Sequence, residues 1–567
     1  MKLIRPVASV DTKTRFEPIH AGAAEWPVVR LARNRKQFVK QVATEAIKRL
    51  HLLRPGTERL VDEIERTRYG EKLRIKTNPW KVDPEDEIVF WSKVKSRLLE
   101  IDKKEGAEAD QLAEKVLYDI VIRYAEEITG NFKQSHYRLA RSIVTFGFAR
   151  LLNAAKIKKF GSFFRNEYTL RDKIQIVGEV EQIRNLARIG TIVMVPTHFS
   201  NLDSITLGYV IHELGLPPFI YGAGLNLFNV EIFAYFMNSL GAYKVDRRKK
   251  NLIYLETLRT FSGLAIRHGN HSLFFPGGTR SRSGNIESKL KLGLLGTAIE
   301  AQRINYENNA IGRESKIFVV PVVINYNFVL EAPSLINDYL ELKGQERYYV
   351  ENDDFTTSGK ILKFLLQFFT KGSNISVSIG KGMDLFGNYV DAEGKSIDKL
   401  GNHVSTRDYF TYRGKITRDT QREEEYTRML SQRIVREYLR INQVFASHLV
   451  PFTAFEMLKK RYPDEDLYEL LRLPLDEVEI DYSEFRDAFD RLRNQVFNLY
   501  NQGKVDIAPH LTGDLDQVIG HGIYNVGLYH ARRPVLRNSE GNITSQDLTT
   551  LYYYRNRMEG YALEKYI

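Results

Sequence analysis

The sequence predicts an α/β protein: a central, mostly parallel sheet with flanking helices, plus a helical N-terminal domain and a helical C-terminal region. Three observations lead there. From about residue 170 onward, short β-rich runs alternate with helical patterns, which is the signature of a layered α/β fold. Before that point, apolar residues recur at three- and four-residue spacings, as one face of a helix requires. Beyond about residue 408 the same helical spacing returns. At 567 residues the chain is too long for one simple core, and we expect a helical domain over 1–165, an α/β domain over 166–390 and a helical region over 391–567 packed on it.

Each element follows from its local pattern. NRKQFVKQVATEAIKRLHL (34–52) and ADQLAEKVLYDIVIRYAEEI (109–128) read as amphipathic helices. TIVMVPTHF (191–199), PFIYGAG (218–224), HSLFFPGG (271–278), SKIFVVPVVINY (315–326) and NISVSIG (374–380) read as strands. Helical patterns at 201–214, 251–269 and 293–303 lie between several of them. The polar stretch 391–408 reads as a loop, and 420–458 as helix. There is no internal repeat and no low-complexity tract.

Composition narrows the chemistry. With 43% hydrophobic and 27% charged residues the chain is globular. No cysteine occurs, which excludes disulfides, thiolate nucleophiles and cysteine metal sites. A formal charge of +12 suits an anionic partner: a nucleic acid, an anionic membrane or a phosphorylated ligand. No zinc pattern, RNP-like strand or continuous basic helix is present, so no nucleic acid is expected. The first residues carry no signal-peptide pattern, and no run of 18 apolar residues predicts a membrane span. Two short apolar patches beside bases, at 142–165 and 360–372, could hold the chain monotopically on an anionic membrane or pack between domains.

Four segments carry candidate chemistry. In THFSNLD (197–203), His198 should lie just past a strand's carboxyl end, with Asp203 in the first turn of the next helix and Asn201 as its cap. A neutral imidazole can take a hydroxyl proton while a carboxylate holds its other nitrogen. Equally, the pair could be a packed histidine and an aspartate that suits a helix dipole. In GAYKVDRRKKN (241–251), Lys244, Arg247 and the bases after them form either a solvated face or an anion site. In FFPGGTRSRSG (274–284), Gly277 and Gly278 allow a tight turn with exposed N–H groups, while Arg280 and Arg282 offer forked donors beside Thr279 and Ser281. In VVPVVINY (319–326), Pro321 interrupts a buried strand, pointing to a bulge or strand end lining the site, or to an edge strand.

In this order and spacing the four segments resemble the motif blocks of the glycerolipid acyltransferase superfamily. THFSNLD resembles its Asn-His-x4-Asp block, GAYKVDR (241–247) its Gly-x2-Phe-Ile-x-Arg block, FPGGTR (275–280) its Phe-Pro-Glu-Gly-Thr-Arg block, and VPV (320–322) its fourth. RSRSG (280–284), RYAEEITGNFKQSH (123–136) and YYYRNRMEGYAL (552–563) make the chain most similar to the long bacterial glycerol-3-phosphate acyltransferases of the PlsB type. The resemblance covers roughly 110–567 and is strongest over 190–330. It departs at Gly277, where the family has glutamate, at Lys244 in place of phenylalanine, and at Thr197 where asparagine is frequent.

The resemblance implies attack of an acceptor hydroxyl on an acyl thioester, carried by coenzyme A or acyl-carrier protein, with His198 as general base and Asp203 orienting it. Glycerol-3-phosphate is the expected acceptor, and 1-acylglycerol-3-phosphate the alternative. A hydrolase using the same pair, or a non-catalytic phospholipid- or nucleic-acid-binding protein, are the other readings. Lys244, Arg247, Gly277, Gly278, Thr279, Arg280, Ser281, Arg282 and Pro321 are the expected substrate-binding residues. Direct transfer without an acyl-enzyme is expected, because no serine sits in a nucleophile elbow; Ser200 and Ser281 read as polar contacts. No metal and no cofactor are required. The expected location is peripheral, on the cytoplasmic face of the cell membrane.

Overall fold

A computed structural model describes residues 16–80, 82–142, 173–225, 241–344, 375–528 and 530–567. Its N-terminal part is helical: α1 (Pro27–Arg33), α2 (Arg35–Leu53), α3 (Thr57–Thr77), α4 (Glu87–Ile101), α5 (Ala107–Ile128) and α6 (Gln134–Ser142). The strand–helix alternation follows, with β1 (Ile174–Gly178), α7 (Val180–Ile189), β2 (Thr191–Pro196), α8 (Asp203–Glu213), β3 (Ile220–Gly224) and β4 (Ala242–Val245). It continues through α9 (Leu252–Arg267), β5 (Ser272–Leu273), α10 (Leu292–Glu307), β6 (Ile317–Tyr326), α11 (Ala332–Gly344) and β7 (Ile375–Ile379). Beyond these come α12 (Thr420–Ile441), α13 (Ala446–Arg461), α14 (Tyr482–Asn501), α15 (Leu515–Val526) and α16 (Leu548–Arg555). The polar stretch expected as loop holds two-residue strands at Ser396–Ile397 and His403–Val404, which pair antiparallel.

The main sheet has the order β1-β7-β6-β2-β5-β3-β4. β6, β2, β5, β3 and β4 run parallel to one another, so their carboxyl ends share one edge; β7 reverses against β6 and β1 runs with β7. β2 and β6 are buried along their whole length, as central strands covered on both faces must be. Pro321 lies inside β6, beside β2 and β7, so the edge-strand reading is wrong. The reason it is tolerated is local. The chain after β7 bulges away, Gly380 N–H donating to the Pro321 carbonyl at 2.8 Å, and pairing resumes only between Val319 and Met383. No ladder donor is required of the proline.

Two apolar clusters organise the packing. One joins the sheet to the C-terminal helices, through residues such as Val193, Val320, Ile434, Leu449 and Leu551. The other joins α2 and α5 to one face of α9, through Val42, Ala46, Leu117, Val121, Ile253, Phe261 and Ala265. Each fully buried Leu, Ile or Phe contributes about 1.5–3 kcal/mol of transfer free energy, so both junctions are firm. Among the described residues no helix is long and apolar enough to cross a membrane. The two patches at 142–165 and 360–372 fall, but for Ser142, outside the described residues.

Candidate active site

β2 ends at Pro196 and delivers His198 into the loop before α8, at the edge where five parallel strands end. α8 begins at Asp203 itself. Its N-cap is Leu202 without a side-chain bond, so the expected cap at Asn201 is not formed. The Asp203 carboxylate instead turns back into the loop. Its Oδ2 meets His198 Nδ1 at 2.7 Å and accepts from the N–H groups of Phe199 at 2.7 Å and Ser200 at 3.0 Å. Its Oδ1 accepts from the Tyr326 hydroxyl at 2.6 Å, at the end of β6. Asp203 is 0% exposed and its charge is met by four donors, counting Nδ1–H, which is what a buried carboxylate needs. Burial raises the Tyr326 phenol well above its ordinary range, so it stays a donor.

This arrangement fixes the imidazole. With Nδ1–H directed at Asp203, the lone pair of the neutral ring is on Nε2. The ring stacks on Phe275 with centroids 4.0 Å apart and planes at 22°, which sets its tilt. The side chain keeps 17% of its surface exposed, so the pair is open on one side. A base oriented by a carboxylate and open to solution can take a proton from a hydroxyl.

The glycine-rich segment wraps the same loop. Ser281 N–H donates to the His198 carbonyl at 2.7 Å, and its hydroxyl donates to the Asn285 carbonyl at 2.8 Å. Ser281 is therefore a tie between loops, with both donors used. Gly278, at φ 81°, closes its own turn by donating to the Phe275 carbonyl at 3.0 Å. That N–H is spent, and the expected exposed donor at Gly278 is corrected accordingly. Arg280 lies 3.6 Å from Glu331, whose carboxylate also accepts from Ser200 Oγ at 3.2 Å and from Asn201 N–H at 2.9 Å. Burial raises the Glu331 carboxyl and the Arg280 charge opposes that. Arg282 is half-buried and, among the described residues, makes no ion pair. Thr279 is half-buried in the same turn.

The second basic segment is elsewhere. β4 is the outermost strand, separated from β2 by β5 and β3, so Lys244 and Arg247 share the sheet edge with His198 but not its loop. Arg247 is exposed, and Lys244 is half-buried, its ammonium pushed down by burial. Pro321 lies within the buried sheet rather than in a site wall.

Several residues at the site were not among the expected site residues, although Tyr326 lies in VVPVVINY and Arg557 in YYYRNRMEGYAL. Tyr326 was legible as the last residue of a strand beside β2. Glu331 and Glu287 gave no local signal. Glu287 Oε1 accepts from the His198 N–H at 2.8 Å. Arg557, in the 3-10 turn Asn556–Met558, backs the loop from the C-terminal region, its guanidinium 4.1 Å from the Phe199 ring centroid. It donates to Asn325 Oδ1 at 2.6 Å and Asn442 Oδ1 at 3.0 Å, and burial pulls it down to about 10. Gly284 makes this docking possible: at φ 85°, a Cβ there would meet the Tyr553 carbonyl oxygen at 2.2 Å. Among the described residues no cluster of three or more His, Asp or Glu side chains could hold a metal ion.

Residues 178–325 match the family model described as Acyltransferase. The chain carries an acyltransferase domain. The four motif segments lie within that matched span but for Tyr326, the last residue of β6, which falls just beyond it. Over 314 residues the chain is 26% identical to a glycerol-3-phosphate acyltransferase of Shewanella sp. strain ANA-3 and 25% to one of Shewanella baltica strain OS155. Those matches cover 55% of this chain and 35% of each relative, so the chain matches about a third of the relatives' length. A crystal structure of the 1-acyl-sn-glycerophosphate (LPA) acyltransferase PlsC from Thermotoga maritima aligns with 44% of this chain and 83% of its own. That alignment has 14% identity and a TM-score of 0.21, too loose a superposition to bear on the acyltransferase domain's fold.

Proposed function

We propose that the chain transfers a long-chain acyl group from an acyl thioester to the sn-1 hydroxyl of glycerol-3-phosphate, giving 1-acylglycerol-3-phosphate. The observation that carries this reading is the His198–Asp203 pair, held at 2.7 Å through Nδ1 with the imidazole part-exposed, beside the arginine-bearing turn of an acyltransferase domain. The acceptor hydroxyl gives its proton to Nε2 as its oxygen attacks the thioester carbonyl; the C–O bond forms, the C–S bond breaks, and the proton passes to the departing thiolate. Asp203 stabilises the imidazolium between these steps. Arg282, with Arg280 held by Glu331, receives the phosphate of the acceptor. The two basic-apolar patches at 142–165 and 360–372 hold the chain peripherally on an anionic membrane, at its cytoplasmic face.

The test is product formation from acyl-CoA and, separately, acyl-carrier protein, with glycerol-3-phosphate and 1-acylglycerol-3-phosphate as competing acceptors. Lysophosphatidate that vanishes in His198→Ala supports the reading and names the donor. Phosphatidate alone moves the reaction to the second acylation. Binding to anionic liposomes at low salt tests the membrane part, and purified protein that ignores them removes it.

A further inference from the structure

The motif that FPGGTR resembles has a carboxylate at its third position, and here that position is Gly277. A Cβ built on Gly277 would lie 2.9 Å from Glu287 Cγ and 3.2 Å from its Oε1. The space that a side chain at 277 would enter is therefore already filled, by a carboxylate arriving from ten residues downstream. That carboxylate is not idle. Its Oε1 accepts the His198 N–H at 2.8 Å, while Oε2 is buried with no hydrogen-bond partner among the described residues. The turn around it is closed by Lys291 N–H, which donates to the Pro276 carbonyl at 2.7 Å, so Glu287 is held against Gly277 by a short loop.

We propose that Glu287 supplies, from ten residues downstream, the carboxylate that position 277 lacks, and is a positioning residue that holds the His198 backbone. The chemistry explains the exchange. His198 has its ring bound to Asp203, its carbonyl bound by Ser281 and its N–H bound by Glu287, so the residue is pinned at three points. Removing the acceptor takes the partner from a part-buried N–H and frees the loop to shift. A shift of about 1 Å in a catalytic base costs on the order of 100-fold in rate. Glycine at 277 is then a requirement of this arrangement, because any side chain there would displace Glu287.

The role of His198 as base rests on the function proposed above, and one part of the experiment is independent of it. Full-length wild type, Glu287→Met, Glu287→Gln, Glu287→Ala and the double variant Gly277→Glu with Glu287→Ala are compared by hydrogen exchange over the peptide containing His198, and by acyl transfer to glycerol-3-phosphate. Methionine fills the volume without an acceptor. Glutamine keeps the acceptor without the charge, and the double variant returns a carboxylate from the other side. We expect faster exchange in Glu287→Met with kcat lowered about 10- to 100-fold and KM within twofold. Glu287→Gln should keep the protection, and the double variant should recover at least tenfold of the kcat lost in Glu287→Ala. Wild-type exchange and kcat in Glu287→Met, or a folded double variant no better than Glu287→Ala in either measure, would overturn the proposal. If wild type transferred no acyl group while exchange followed the expected order, the function would fall and the placement of Glu287 would stand.

Discussion

Two regions of this chain hold clustered basic residues at the same sheet edge, and each gives a different part of its charge to the fold. In the segment 244–250, Arg248 pairs with Asp83 and Asp246 and lies 3.8 Å over the Trp80 ring, while Lys249, 3% exposed, pairs with Glu127. Asn251 caps α9 by accepting from Tyr254 N–H at 2.8 Å and donates to Glu71 at 3.2 Å. Two of the five bases in this run thus clamp the N-terminal helices to the acyltransferase domain, while Arg247 and Lys250 stay exposed. The segment 280–282 has fewer bases, but one of them has no ion pair among the described residues and both stand in the turn tied to His198. Charge density in a sequence measures supply; what is left over after the fold has taken its share decides binding.

The comparison can be broken by substitution. The largest effect belongs to neither basic segment: His198→Ala should lower kcat by about 100- to 10,000-fold, the usual worth of a general base, with the melting temperature little changed. Next, Arg280→Ala and Arg282→Ala should raise KM for the phosphorylated acceptor by an amount corresponding to about 2–5 kcal/mol for a desolvated contact. An Arg247→Ala variant that raised KM as much would erase the distinction between the segments. Lys249→Met should instead cost about 1–3 kcal/mol of stability by leaving Glu127 and neighbouring Glu87 short of a partner, read as a lower denaturation midpoint with KM unaltered.

The smallest effect sharpens the position of Glu287. Burial pushes its carboxyl from 4.5 up to about 7. Below pH 4.5 the group is protonated folded and unfolded. Between there and pH 7 only the unfolded chain releases its proton, so the native state loses stability as pH rises. Glu287→Gln, neutral throughout, should gain melting temperature over wild type across that window and hold the gain above it. A difference that is flat with pH would contradict the buried carboxyl.

The fold was legible because its pattern is periodic and local. β2, β6 and α9 announce themselves by apolar spacing and by where turns interrupt them. The pair His198 and Asp203 was legible because strand end and helix start are adjacent in sequence. What could not be read depends on contacts between distant segments. Glu287 lies among basic residues in SGNIESKLK (283–291), with nothing local to mark it as the partner of His198. Arg557 reaches the His loop from the far end of the chain, and Asp83 and Glu127 silence Arg248 and Lys249 from the N-terminal helices. Pro321 pointed to either a bulge or an edge strand, and the choice could not be made locally, because the bulge that accommodates it is made by Gly380, 59 residues on.

The most direct measurement is acyl transfer by the purified full-length chain, in lipid or detergent, from long-chain acyl-CoA and acyl-carrier protein to glycerol-3-phosphate, beside His198→Ala. The arrangement of His198, Asp203 and the arginine turn predicts lysophosphatidate formation by wild type and its loss in the variant. Wild-type rates in His198→Ala, or no transfer to glycerol-3-phosphate from either donor, would contradict it.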